Sequence, residues 1–60
     1  MPDYRLYHVR NGRFVGFDPV EAEFDVDAVR EAGRLVREDA AELWCGDRKI
    51  MIFEGRERSG

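Results

Sequence analysis

Two side chains in this sequence carry the chemistry of a nucleophile and its base: Cys45 and His8, each the single residue of its type. An imidazolium beside a thiol lowers the thiol pKa and yields a thiolate nucleophile, so the pair has enzymatic potential if the fold brings it together. Ser59, the one serine, lies in the last few residues. A small buried cysteine and a histidine at the rim of a sheet are the commoner roles for these residue types and the preferred reading here. Metal chemistry has even less support. His8, Cys45 and one of Asp18 or Asp47 would give three ligands of mixed softness without a spacing motif, whereas a closed zinc site takes four. Glu21, Glu23, Asp25 and Asp27 alternate like a cation loop but lack its Asp-x-Asp-x-Asp-Gly core and terminal Glu. No catalytic, cofactor-binding or metal-binding residue is therefore assigned, and the chain is read as not an enzyme.

The elements that must position these residues come from periodicity. Asp25 to Glu38 forms the one helix, with Val29, Ala32, Gly33 and Val36 at i, i+3, i+4 and i+7 and Ala28 and Leu35 beside them. Asp25 is the expected N-cap, its carboxylate accepting from free amides of the first turn. Before the helix, Tyr4 to Val9 and Arg13 to Phe17 flank Asn11-Gly12, a strong hairpin signal because both central residues of a type I′ turn take positive φ. The second strand is expected to pass Pro19 and continue through Val20, Ala22 and Phe24. After the helix, Ala41 to Cys45 and Arg48 to Phe53 flank Gly46-Asp47, a second two-residue turn. The chain thus reads as α+β, of order β-β-α-β-β: an antiparallel sheet with one helix packed on one face, in a single domain over 1–55 with a disordered tail at 56–60.

Counting back from each turn allots the side chains to faces. The first hairpin places Leu6, His8, Val15 and Phe17 on one side and Tyr7, Val9 and Phe14 on the other. The second places Leu43, Ile50 and Ile52 together, opposite Trp44, Met51 and Phe53. One helix cannot cover both faces. Trp44, Met51, Phe53, Tyr7 and Phe14 are therefore the expected interface, because monomers seldom expose contiguous apolar patches of more than a few hundred Å².

The phrase Ala41-Glu42-Leu43-Trp44-Cys45-Gly46-Asp47-Arg48-Lys49, preceded by an alanine- and arginine-rich helix and by Tyr4-Arg5-Leu6-Tyr7, resembles a group of short bacterial hypothetical proteins. Their shared features are a tyrosine-rich opening strand, a glycine turn and a closing hairpin of the E-L-W-x-G-D-R type. The resemblance spans about Tyr4 to Ile52 and implies the same fold; it carries no activity and no site.

Composition narrows the function classes. A chain of 60 residues buries only about 60% of the surface its unfolded form exposes, so oligomerisation is an obvious source of stability. Thirteen acidic against ten basic residues give a net charge of -3, which disfavours nucleic acid or an anionic membrane as the main partner. Arg5, Arg10 and Arg13, interleaved with aromatic residues, are the one candidate basic patch, and nucleic-acid or regulatory binding through that hairpin end is the alternative function. A lone cysteine, no leader-like N-terminus and no apolar run near 20 residues predict a soluble cytoplasmic protein. The favoured expectation is a small non-enzymatic protein-interaction module, without cofactors, that self-associates as a dimer through the uncovered sheet face, with a further protein partner possible.

Overall fold

A computed structural model gives the architecture, and it describes residues 3–55. The expected tail at 56–60 lies outside the described residues. The order is β1 (Tyr4–Arg10), β2 (Arg13–Val20), α1 (Asp25–Leu35), β3 (Ala40–Cys45) and β4 (Arg48–Phe53). All neighbouring strands are antiparallel and lie across the sheet as β2-β1-β3-β4, so the chain is an α+β domain of the expected β-β-α-β-β order. The helical connection carries the chain from one edge, β2, across the first hairpin to β3. Both hairpins turn as their residues require: Asn11 and Gly12 take φ of 54° and 77°, and Gly46 takes 62°.

The core lies between α1 and one sheet face. Leu6 and Leu43 are the largest fully buried side chains, packed with Tyr4, Val20, Ala28, Ala32, Val36 and Ala41. Alanines on the helix let it approach the sheet closely, and the helix is short. It begins after Phe24, which occupies the N-cap position in extended conformation and has no side-chain capping bond. The expected cap is thus corrected. Asp25 is inside the helix, and its carboxylate turns away from the first-turn amides to accept a 2.6 Å hydrogen bond from the Tyr4 hydroxyl, with Arg48 at 3.5 Å. A charge-assisted bond to a buried tyrosine competes successfully with capping. The helix also ends at Leu35 rather than Glu38. Val36 is extended and buried, so the chain leaves the helix in order to place this side chain in the core.

The second strand stops at Val20, and the expected continuation through Ala22 and Phe24 is corrected: Phe24 is 64% exposed in the connection to the helix.

Both hairpins follow the counted register for two pairs and then depart from it. In the first, Arg10 faces Arg13 and Val9 faces Phe14, but His8 then faces Gly16 and Tyr7 faces Phe17, leaving Val15 as an extra residue. In the second, Cys45 faces Arg48 and Trp44 faces Lys49, but Leu43 then faces Met51 and Ala41 faces Phe53, leaving Ile50 extra. These are β-bulges, and each exchanges the faces of every residue beyond it on the bulged strand. Gly16, at φ 156°, supplies a backbone conformation that side chains resist beside the first bulge.

Candidate functional site

The chemistry suggested by Cys45 and His8 is not assembled. Cys45 stands opposite Tyr4 and His8 opposite Ala41, so the two share the helix-side face but are separated by four residues along the strands, roughly 13 Å. His8 instead pairs with Asp18, Nε2 to Oδ2 at 2.8 Å. This pair was hidden from sequence reasoning because the first bulge is what turns Asp18 to the His8 side. Arg10 lies nearby and grips Asp39, its Nη2 donating to Oδ2 at 2.9 Å and its Nε at 3.3 Å. The guanidinium holds the Asp39 carboxyl below the usual carboxylate range. At the other end of the helix, the Tyr4 hydroxyl and Arg48 do the same for Asp25, and the bond to Asp25 pushes the Tyr4 phenol up to about 12. Both clusters clip the helix layer and its connections to the sheet. Among the described residues, no group of three His, Cys, Asp or Glu side chains is placed to hold a metal ion.

Nor do the three arginines form one patch. Arg10 and Arg13 face each other at the hairpin end, whereas Arg5 lies five residues further along β1, roughly 17 Å away. Arg10 is committed to Asp39, and Arg5 reaches Asp3 at 3.5 Å.

The feature that stands apart is the sheet face that α1 leaves uncovered. Alternation from the buried Tyr4, Leu6, Ala41 and Leu43 places Arg5, Tyr7 and Val9 of β1 and Glu42 and Trp44 of β3 on this side. Their partners add Phe14 and Phe17 from β2 and Lys49 and Ile52 from β4. Tyr7, Phe14 and Trp44 therefore lie on the uncovered face, as counted. Met51 and Phe53 do not, and that expectation is corrected. The Ile50 bulge turns Phe53 toward the helix, where its ring packs against the core near Gly33, and sets Met51 opposite Leu43 at the sheet edge. Phe17 and Ile52 take their places, having been assigned to the covered side by registers without bulges.

The side chains on this face are ordered by one another. Tyr7 lies between Phe14 and Phe17, with ring centroids 5.2 and 5.4 Å away, within the range of favourable aromatic pairs. The Arg5 guanidinium sits 4.9 Å from the centre of the Phe17 ring. Trp44 Nε1 donates to Glu42 Oε1 at 3.1 Å, and Lys49 Nζ is 5.7 Å from the indole centroid. Two adjoining hollows open here. One, of about 300 Å³, is lined by Tyr7, Phe14, Trp44 and Gly46, and the other, of about 150 Å³, by Asp3, Arg5, Tyr7, Trp44 and Gly46. These are at or below the small end of ligand pockets, a size suited to side chains from a macromolecular surface. Despite this mutual packing, Phe14 and Ile52 are each 59% exposed and Phe17 is 47% exposed. Among the described residues, no helix is long and apolar enough to cross a membrane. The chain matches no family model, no curated protein and no solved structure.

Proposed function

We propose that this domain is a small non-enzymatic interaction module that self-associates through the uncovered face of its sheet. The observation that carries the reading is the placement of Tyr7, Phe14, Phe17, Trp44 and Ile52 on the one broad face the helix leaves open. Removing Phe14, Phe17 and Ile52 from water would contribute on the order of 1.5–3 kcal/mol each if burial were complete. The two edge strands favour face-to-face contact over strand addition. β2 carries Pro19, which lacks a backbone donor, and a bulge at Val15, while β4 carries a bulge at Ile50 beside Arg48 and Lys49. Such features blunt an edge against pairing with another chain.

Charge favours a protein surface over a polyanion. Arg5 and Lys49 on this face are matched by Glu42 and the adjoining Asp3, so a phosphate backbone laid across it meets as many anions as cations. Light scattering tests the reading. The wild-type chain is expected to be a dimer that Trp44→Glu converts to a monomer with its secondary structure intact; a wild-type chain that scatters as a monomer at high concentration would refute it.

A further inference from the structure

The centre of the uncovered face has a pattern that prescribes how two copies fit together. β1 and β3 are the inner strands, and their register sets Tyr7 opposite Glu42 and Arg5 opposite Trp44. All four side chains lie on the same face, so they form a four-cornered cell: aromatic rings hold one diagonal, and opposite charges hold the other. Glu42 and Arg5 both keep exposed surface, with 22% and 44% of their side chains accessible.

We propose that the face is occupied by a second copy of the chain, related by a two-fold axis along the Tyr7–Trp44 diagonal. This inference rests on the reading that the face self-associates and adds the axis and the contacts. A rotation about that diagonal carries Arg5 toward the place of Glu42 and Glu42 toward the place of Arg5. Each copy's Arg5 then meets the partner's Glu42, and the same pair forms twice, as a two-fold contact requires. Tyr7 and Trp44, close to the axis, pack against the same two rings of the partner and make an aromatic centre with the charges outside it. An axis along the other diagonal would set Arg5 against Arg5 and Glu42 against Glu42, which like-charge repulsion opposes.

The geometry also fixes the crossing of the sheets. A cell about 6.8 Å long and about 4.8 Å wide has a diagonal inclined roughly 35° to the strands, so the strands of the two copies cross at roughly 70°. That is nearer the orthogonal than the aligned class of sheet packing. Trp44 is already held by Glu42, and Arg5 already rests on Phe17, so little side-chain freedom is lost on docking.

The test uses two variants of the full chain, Arg5→Glu and Glu42→Arg, studied separately and mixed. Each alone places like charges at both pairs, and its dissociation constant should rise roughly tenfold or more. An equimolar mixture should regain association near that of wild type, because a mixed dimer has one restored and one native pair. Variants that associate like wild type, or a mixture that fails to recover, would overturn the proposed axis while leaving self-association standing. A wild-type chain that never associates would overturn both. Circular dichroism verifies that each variant folds. Should one not fold, a mixture of isotope-labelled and unlabelled wild-type chains decides: intermolecular Overhauser effects between the two Tyr7 rings and between the two Trp44 rings are expected, and effects from Tyr7 to the partner's Trp44 in their place, or none in an associating sample, overturn the axis.

Discussion

The two faces of the sheet are built from opposite materials. The covered face and the helix on it use mostly small and medium side chains, Ala28, Ala32, Ala41, Leu6 and Leu43, around the buried Tyr4 and the half-buried Phe53. The uncovered face gathers four aromatic rings, Tyr7, Phe14, Phe17 and Trp44, two of which, Phe14 and Phe17, stay about half exposed or more. Polar clips differ too. On the covered side, Tyr4 with Asp25 and Arg10 with Asp39 join separate elements of the chain, beside the His8–Asp18 pair within the first hairpin, whereas on the open side Glu42 pairs with Trp44 and Lys49 of its own hairpin. One face is organised to hold the fold together, and the other to present side chains.

Truncating one large side chain on each face should separate the two roles. Leu43→Ala should lower stability by about 2–5 kcal/mol, because it removes buried methyl groups and leaves a cavity at a fully buried site. Phe17→Ala, studied at concentrations where the chain is a monomer, should cost markedly less. Chemical denaturation of both variants checks this, and comparable losses would show that the open face is part of the core.

A smaller effect of opposite sign is expected at Gly33. Its Cα faces the Phe53 ring, and an added Cβ would meet that ring at 3.8 Å, an ordinary contact. Gly33→Ala should therefore stabilise the helix by about 1 kcal/mol, raising the denaturation midpoint. The site has room for a methyl group.

The clips of the covered face should appear in the pH dependence of stability. Asp25 and Asp39 have folded-state pKa values below the ordinary 3.8, so their contribution is present above that pH and is lost as pH falls through the lowered values. Asp25→Asn and Asp39→Asn should each flatten the acid limb of the stability profile. Tyr4 behaves in the reverse sense. Its phenol is raised from 10.0 to about 12, so its contribution is complete below pH 10.0 and is lost between there and about 12. Tyr4→Phe should remove that alkaline limb, and equilibrium denaturation across the pH range measures both limbs.

Much of the fold was legible in the sequence. Asn11-Gly12 and Gly46-Asp47 set both turns, and the spacing of Val29, Ala32, Gly33 and Val36 marked the helix, although its fully buried positions are Ala28 and Ala32, with Val36 buried just past its end. The bulges were not legible, because an inserted residue leaves the alternation of a short strand readable in either register. Gly16 was the one signal, since glycine inside a strand often marks a bulge; nothing comparable marked Ile50. The consequence for the candidate surface was specific. Tyr7, Phe14 and Trp44, on β1 or on the turn side of a bulge, were assigned to the correct face, while Phe17, Ile52 and Phe53, beyond the bulges, were exchanged. The helix cap failed for another reason: the sequence shows that Asp25 can cap, but only the tertiary fold brings Tyr4 and Arg48 to its carboxylate.

Sedimentation equilibrium of the wild-type chain over a wide concentration range decides whether the open face joins two copies. The apparent mass should rise with concentration from the 7.0 kDa of the monomer toward twice that value. A single 7.0 kDa species at the highest concentrations would contradict it.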